Sequence, residues 1–280
     1  ANEDSFEKSV DWLRKKGLSA AVKKGGRVTS EGVVAVYSED EKACVIELNS
    51  ETDFVALNAE FQSMVRDIAA LAVDVDGDVE KLAAATVAGG KDVSTTITDL
   101  IAKIGENMNL RRSTALSVDA GVVAGYLHNA VADGLGKIGV LVALKSDADA
   151  DALTALGKKI AMHVAATSPL SLSVEDMDPA LVQKERDVLS EQARASGKPE
   201  GIIEKMVDGR MQKFFKESVL LTQIFVMDGE RTIAKVIEDE AAALGTDVKM
   251  TGYVRMGLGE GIEKKEEDFA AEVAAAVAGS

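Results

Sequence analysis

The chain has 280 residues, enough for two domains of ordinary size, and its 46% hydrophobic and 28% charged residues suit a globular protein. Carboxylates outnumber Lys and Arg by 47 to 32, a formal charge of -15 that repels phosphate backbones and argues against nucleic acid as the main ligand. A single cysteine excludes an internal disulfide framework and fits a reducing compartment, while no run approaches the ~20 apolar residues of a membrane-spanning helix.

Ala1 opens inside a helical pattern, as if a longer chain preceded it, and Phe6, Val10 and Leu13 form a stripe along that helix. A basic run, KKGLSAAVKKGGR, follows from Lys15. Val33–Tyr37 and Ala43–Leu48 are rich in β-branched residues and flank SEDE, which reads as a hairpin. Cys44, beside Val45 and Ile46, is expected to be a small buried hydrophobe. Ser50 with Asp53 three residues on has the form of a capping box, with Asp in place of Glu. From Leu57 the apolar residues Phe61, Met64, Ile68 and Leu71 recur at helical steps. The Ala-, Gly- and Asp-rich stretch from Asp74 to Thr96 reads as a loose connection, and MNLRRSTALSV as a closing strand. Two helical stretches joined by SGK follow Pro179 and Pro199, a pattern for an antiparallel helical hairpin with Met206, Met211 and Phe214 packed inside it. GLGEG, Gly257 to Gly261, lacks the Gly-Lys-Ser/Thr ending of a phosphate loop and reads as a turn. A short Ala-rich helix with Phe269, Val273 and Val277 on one side ends the chain.

A repeat organises these elements. GVVAVY at Gly32 recurs as GVVAGY at Gly121. VIELNSETDF from Val45 aligns with LVALKSDADA from Leu141, an offset of 96 that carries Leu57, Met64 and Ile68 onto Leu153, Ile160 and Val164. Ile104-Gly105 corresponds to Leu244-Gly245 at an offset of 140, so the second copy holds 44 additional residues. The expected fold is α+β: two duplicated strand-strand-helix-helix-strand subdomains with antiparallel sheets, the second interrupted by the helical hairpin. The expected boundaries are 1–28 for an amino-terminal helical remnant and basic linker, 29–119 for the first subdomain, and 120–178 with 223–262 for the second. The hairpin takes 179–222 and the carboxyl helix 263–280.

LRKKGLSAAVKKGGR, SETDFV, IGENMNLRR, IAMHVAA, SGKPEGIIEKMVDGRM and DFAAEVAA together resemble the elongation factor Ts family, in the family's order and over essentially the whole chain. The resemblance implies a cytoplasmic, bacterial-type guanine nucleotide exchange factor for elongation factor Tu, without covalent chemistry, cofactor, nucleic-acid or membrane partner. It also implies a three-helix amino-terminal module, of which only the last helix, about Asn2 to Lys16, is matched.

Helical phase alone turns Phe54 toward the core, although its counterpart in the second copy is Ala150, so that position does not demand a ring. The resemblance turns it outward. It implies that Thr52, Asp53, Phe54 and Val55 invade the partner and dislodge its Mg²⁺, with Asp53 either capping the helix or bonding to the partner. His163 matches Asp67 of the first copy, which sets it on an outer or edge face, and the resemblance implies that it touches elongation factor Tu. Phe269 and Val273 dock either on the core or, as the resemblance implies, on the partner. His128 joins no metal or catalytic set, and two histidines with one cysteine offer no tetrahedral metal site. The rival classes are an enzyme, for which no paired acids or nucleophile-base pair stand out, and an RNA-binding module resting on the basic run from Lys15.

Overall fold

A computed structural model describes residues 17, 19 and 21–263. The amino-terminal stripe of Phe6, Val10 and Leu13 and the carboxyl helix with Phe269, Val273 and Val277 lie outside the described residues.

Two antiparallel sheets lie face to face and carry helices on their outer faces, an α+β arrangement. The first sheet has the order β3(Met108–Ser117), β2(Lys42–Ser50), β1(Glu31–Glu39), β5(Leu135–Gly136); the second has β4(Gly121–His128), β6(Ile138–Lys145), β7(Lys249–Gly257). β1 and β2 form the expected hairpin, turning at Asp40 and Glu41 with Glu39 opposite Lys42. Both faces of the central strands are buried, which is why they read as nearly continuous apolar runs. In β2, Cys44, Ile46 and Leu48 face the helices, whereas Ala43 and Val45 face the second sheet together with Val34, Val123, Leu141, Ala143 and Met256. β6 repeats the alternation, with Val140, Val142 and Leu144 toward its own helices.

The offset seen in the sequence reappears in the ladders. The β2–β3 register shifts between Glu47 and Leu48, and the β6–β7 register between Ala143 and Leu144, 96 residues further on. Gly32 and Gly121 open the first strand of each half at φ 115° and 122°. A Cβ there would lie 2.3 Å from the Leu48 carbonyl oxygen or 2.1 Å from that of Leu144, so no side chain fits.

Helix α1(Ala59–Asp74) lays Phe61, Met64, Val65, Ile68 and Ala72 on the first sheet. The stretch after it is more ordered than its composition suggests: α2(Val79–Ala84) is capped by Asp78, and α3(Val93–Ile104) by Asp92. Buried Leu82 seats that short helix on the core. In the second half, α4(Ala150–Thr167) and α7(Ile233–Leu244) cover the sheet through Leu153, Leu156, Ile160, Val164, Ile233 and Val236.

Between them stands the hairpin of α5(Pro179–Arg194) and α6(Glu200–Ser218), with Pro179 in the first turn after the Asp178 cap and Pro199 as the second cap. Its seam buries Ala193, Ile203, Val207 and Met211, flanked by Phe214 and Phe215. Backbone bonds from Leu170 N–H to Ser218 O and from Leu220 N–H to Ser171 O root the hairpin in the core. GLGEG forms the turn after β7.

Candidate functional site

The corner between β2 and α1 exposes what the fold otherwise hides. Ser50 does not cap α1; its hydroxyl donates to the Thr52 carbonyl oxygen at 2.8 Å. Eight residues separate the strand from the helix, and the last of them, Asn58, caps it: its Oδ1 accepts the N–H groups of Glu60 (2.9 Å) and Phe61 (3.0 Å). The chain in between makes one 3₁₀ turn, Val55–Leu57, closed by Ala56 N–H to Asp53 O, Leu57 N–H to Phe54 O and Asn58 N–H to Val55 O.

That turn sorts the side chains. With three residues per turn, positions i and i+3 eclipse. Phe54 and Leu57 therefore share one face, and both are exposed, at 77% and 69%. Val55 and Ala56 point the other way and are buried. The Val55 side chain belongs to the core cluster and anchors the turn beneath Phe54. Asp53 is exposed on the same loop, and Thr52 is half-buried. Leu57 joins Phe54 on the face that sequence reasoning assigned to Phe54 alone; the missed signal was the three-residue spacing itself.

Two carboxylates hold the corner. Glu106 Oε2 accepts the Thr52 N–H at 2.9 Å, and its two oxygens share the Thr52 hydroxyl at 2.8 and 3.0 Å. Glu51 Oε1 accepts the Asn107 N–H at 2.6 Å, while Arg27 Nη1 pairs with Glu51 Oε2 at 3.3 Å.

His163 is not on an outer face. It is fully buried, because the segment from Gln223 to Val226 crosses over α4 at that point. Gln223 Nε2 donates to Glu217 O, which turns Gln223 Oε1 toward His163 Nε2 at 2.9 Å. Val226 N–H donates to His163 Nδ1 at 3.3 Å. Nδ1 must therefore be the acceptor and Nε2 the protonated nitrogen, a neutral imidazole. Burial holds its pKa below the ordinary 6.5, with the Gln223 bond opposing. The imidazole fixes a loop whose Ile224, Val226 and Met227 side chains are exposed. The second apolar surface is thus that loop, and His163 lies beneath it.

A third feature joins the halves. Glu47, fully buried on the inter-sheet face of β2, accepts bonds from Arg111, Arg112, Asn49 Nδ2 and the Gly259 N–H. Among the described residues, no group of three His, Cys, Asp or Glu is placed to hold a metal ion, and no helix is long and apolar enough to cross a membrane.

The family model described as Elongation factor TS matches residues 51–260. The chain is 59% identical over 275 residues to Elongation factor Ts of Rhizobium johnstonii, covering 98% of this chain and 89% of that protein. It is 58% identical to the protein of the same name from Rhizobium etli, with the same coverage. The Elongation factor Ts of Bartonella tribocorum is 53% identical over 275 residues, covering 98% of this chain and 90% of that one.

Proposed function

This chain belongs to the elongation factor Ts family, and from that membership we propose that it is a guanine nucleotide exchange factor acting on elongation factor Tu in the cytoplasm. One observation carries the reading. A soluble fold would normally bury an aromatic and a leucine side by side, yet Phe54 and Leu57 share an exposed face on a turn anchored by Val55 and Ala56. Paired exposure on a fixed support suits insertion into a partner.

A GTPase holds its nucleotide by backbone amides around the phosphates and by Mg²⁺ bridging them. An exchange factor works only if it binds the nucleotide-free form more tightly than the loaded form, since equal affinity shifts nothing. Inserting the Phe54–Leu57 face between elements of the partner displaces the groups that hold Mg²⁺ through its water shell. Burying one such side chain supplies roughly 1.5–3 kcal/mol. Weakening nucleotide binding a thousandfold needs about 4 kcal/mol. One ring falls short of that; ring and leucine together supply roughly 3–6 kcal/mol, a range that spans it. Asp53, exposed at the tip, is placed to bond with the partner.

On this reading residues 29–119 and 120–178 with 223–262 are two subdomains, and 179–222 is an arm inserted into the second. The exposed Ile224, Val226 and Met227 side chains, on a loop held by His163, offer a second contact surface, and Phe269 and Val273 are proposed as further partner contacts. No residue is assigned covalent chemistry. The net charge of -15 suits a protein partner rather than the phosphate backbone of tRNA.

Stopped-flow release of labelled GDP from elongation factor Tu tests the proposal. The chain is expected to accelerate release, and Phe54→Ala to cut the rate at limiting concentration roughly ten- to hundredfold. A wild-type chain that leaves the spontaneous rate unchanged refutes it.

A further inference from the structure

The segment from Glu51 to Asn58 has little core of its own, only Val55 and Ala56, yet every polar group of Thr52 is engaged. Its N–H and hydroxyl go to Glu106, and its carbonyl oxygen accepts from Ser50. Glu106 comes to that place because α3 ends at Gly105 in the left-handed conformation, φ 91°, which turns residues 106 and 107 toward the end of β2. The contact is reciprocal: Glu106 receives the backbone of residue 52, and Glu51 receives the backbone of residue 107. The Asn107 side chain also donates to Arg27 O at 3.0 Å. Two loops are thereby tied by charge-assisted bonds, which are roughly twice as strong as neutral ones.

The second half of the chain provides an internal control. At the same offsets, Thr246 and Asp247 stand where Glu106 and Asn107 stand, and Ala148 and Ala150 replace Thr52 and Phe54. There the corner closes with a hydroxyl alone: Ser146 donates to Asp247 O at 2.7 Å and accepts the Ala148 N–H at 3.1 Å. The chain then enters α4 at once, with Asp149 as its cap. The fold can turn this corner without a carboxylate. The carboxylate is present in the half that displays the aromatic.

We propose that Glu106 is a positioning residue for the exchange site: by fixing Thr52 it holds the 3₁₀ turn so that Phe54 and Leu57 meet the partner already in place. This rests on the exchange reading above. A segment that occupies its binding-competent posture for only a fraction of the time loses apparent affinity by that fraction, whereas the bound state is unaltered. Freeing the turn to spend about one tenth of its time in posture raises the half-saturating concentration about tenfold and leaves the plateau rate unchanged.

The test uses the full chain with elongation factor Tu and labelled GDP. Glu106→Ala is expected to raise the half-saturating concentration about tenfold with a plateau within about twofold of wild type. Glu106→Gln, which keeps an acceptor oxygen, is expected to fall between the two. In a Phe54→Ala, Leu57→Ala background, where no apolar face remains to be positioned, Glu106→Ala is expected to add less than about twofold. An effect of equal size in both backgrounds, or none in either, overturns the proposal. Hydrogen exchange at the Thr52 amide of the isolated chain reads the clamp without any partner. Exchange at least about tenfold faster in Glu106→Ala, with an unchanged thermal midpoint, supports it, and an unchanged rate overturns it. A wild-type chain that does not accelerate GDP release removes the exchange reading and the functional role with it, while the Thr52 amide still decides whether Glu106 holds the turn.

Discussion

Glu47 is a buried charge whose loss should be costly, because it joins the two sheets. It lies on the same face of β2 as Ala43 and Val45, opposite the second sheet, where no water reaches it. Its carboxylate accepts from Arg111 Nη1 at 3.2 and 3.0 Å, Arg112 Nε at 2.5 Å, Asn49 Nδ2 at 2.9 Å and Gly259 N–H at 2.8 Å. The two arginines reach on to the Glu260 and Gly257 carbonyl oxygens at 2.6 and 2.7 Å. One charge therefore ties β2 and β3 of the first sheet to the turn that follows β7 of the second.

Glu47→Ala removes the acceptor and leaves two guanidinium groups side by side. Truncating one member of a buried ion pair costs about 3–5 kcal/mol. The arginine side chains retain 24% and 33% exposure, so water recovers part of their solvation and the lower end applies, about 3 kcal/mol. At roughly 2–4 °C per kcal/mol for a chain of this size, the thermal midpoint falls by about 6–12 °C. Glu47→Gln preserves the volume but presents an amide N–H₂ to a ring of donors, and should lose about 2 kcal/mol. Urea unfolding followed by far-ultraviolet circular dichroism measures both. The loss should persist in high salt, because buried charges are screened far less than surface pairs. A Glu47→Ala chain within about 1 kcal/mol of wild type would refute the idea that this carboxylate joins the halves.

Further outcomes follow from four residues. The folded chain holds His163 neutral, with a pKa below the ordinary 6.5. The unfolded chain therefore binds the extra proton as pH falls through that value, and stability should decline as pH drops from neutrality through 6.5 toward the lowered pKa of the folded state. His163→Gln should flatten that slope, and parallel wild-type and variant curves in urea titrations would contradict it. Cys44 is buried with its thiol donating to Ala69 O at 2.9 Å, and burial pushes its pKa up to about 12. Alkylation should then proceed only through opening and rise with urea in step with unfolding, whereas prompt labelling of the native chain would count against it. Gly32→Ala should be severely destabilising, because its Cβ meets the Leu48 carbonyl oxygen at 2.3 Å. Gly209→Ala, in the interior of α6 with nothing within 4 Å, should instead stabilise by about 1 kcal/mol, and thermal midpoints that move in the same direction for both would break the argument.

What could be read from sequence divides along a physical line. The β1–β2 hairpin, the face of α1 from Phe61 onward and the Met211–Phe214 part of the inserted hairpin's seam are local, periodic features that lie where their period puts them, whereas Leu57 turns out to solvent ahead of α1 and Met206 stands outside the seam. The register shifts before Leu48 and Leu144 stand 96 residues apart, the offset at which the second half of the sequence matches the first. Failures occur where a period changes or where a distant segment intervenes. Ser50 and Asp53 carry the spacing of a helix cap, but the chain spends the next residues crossing the corner, and Asn58 performs the capping. Extending the phase of α1 backwards at 3.6 residues per turn buries Phe54; the 3₁₀ turn resets the phase to three and brings it out beside Leu57. His163 faces outward by local phase and is covered by a loop 60 residues later. Glu47 reads as an ordinary polar residue within an apolar strand, yet three of its four partners lie 64, 65 and 212 residues away. The corner combines both kinds of failure. A local change of helical period exposes the side chains, and a carboxylate 54 residues along the chain keeps them there. Neither effect alone accounts for a large apolar face held steadily in water. Together they do, because the turn chooses which residues face out and Glu106 removes the freedom by which they would otherwise fold back toward the core.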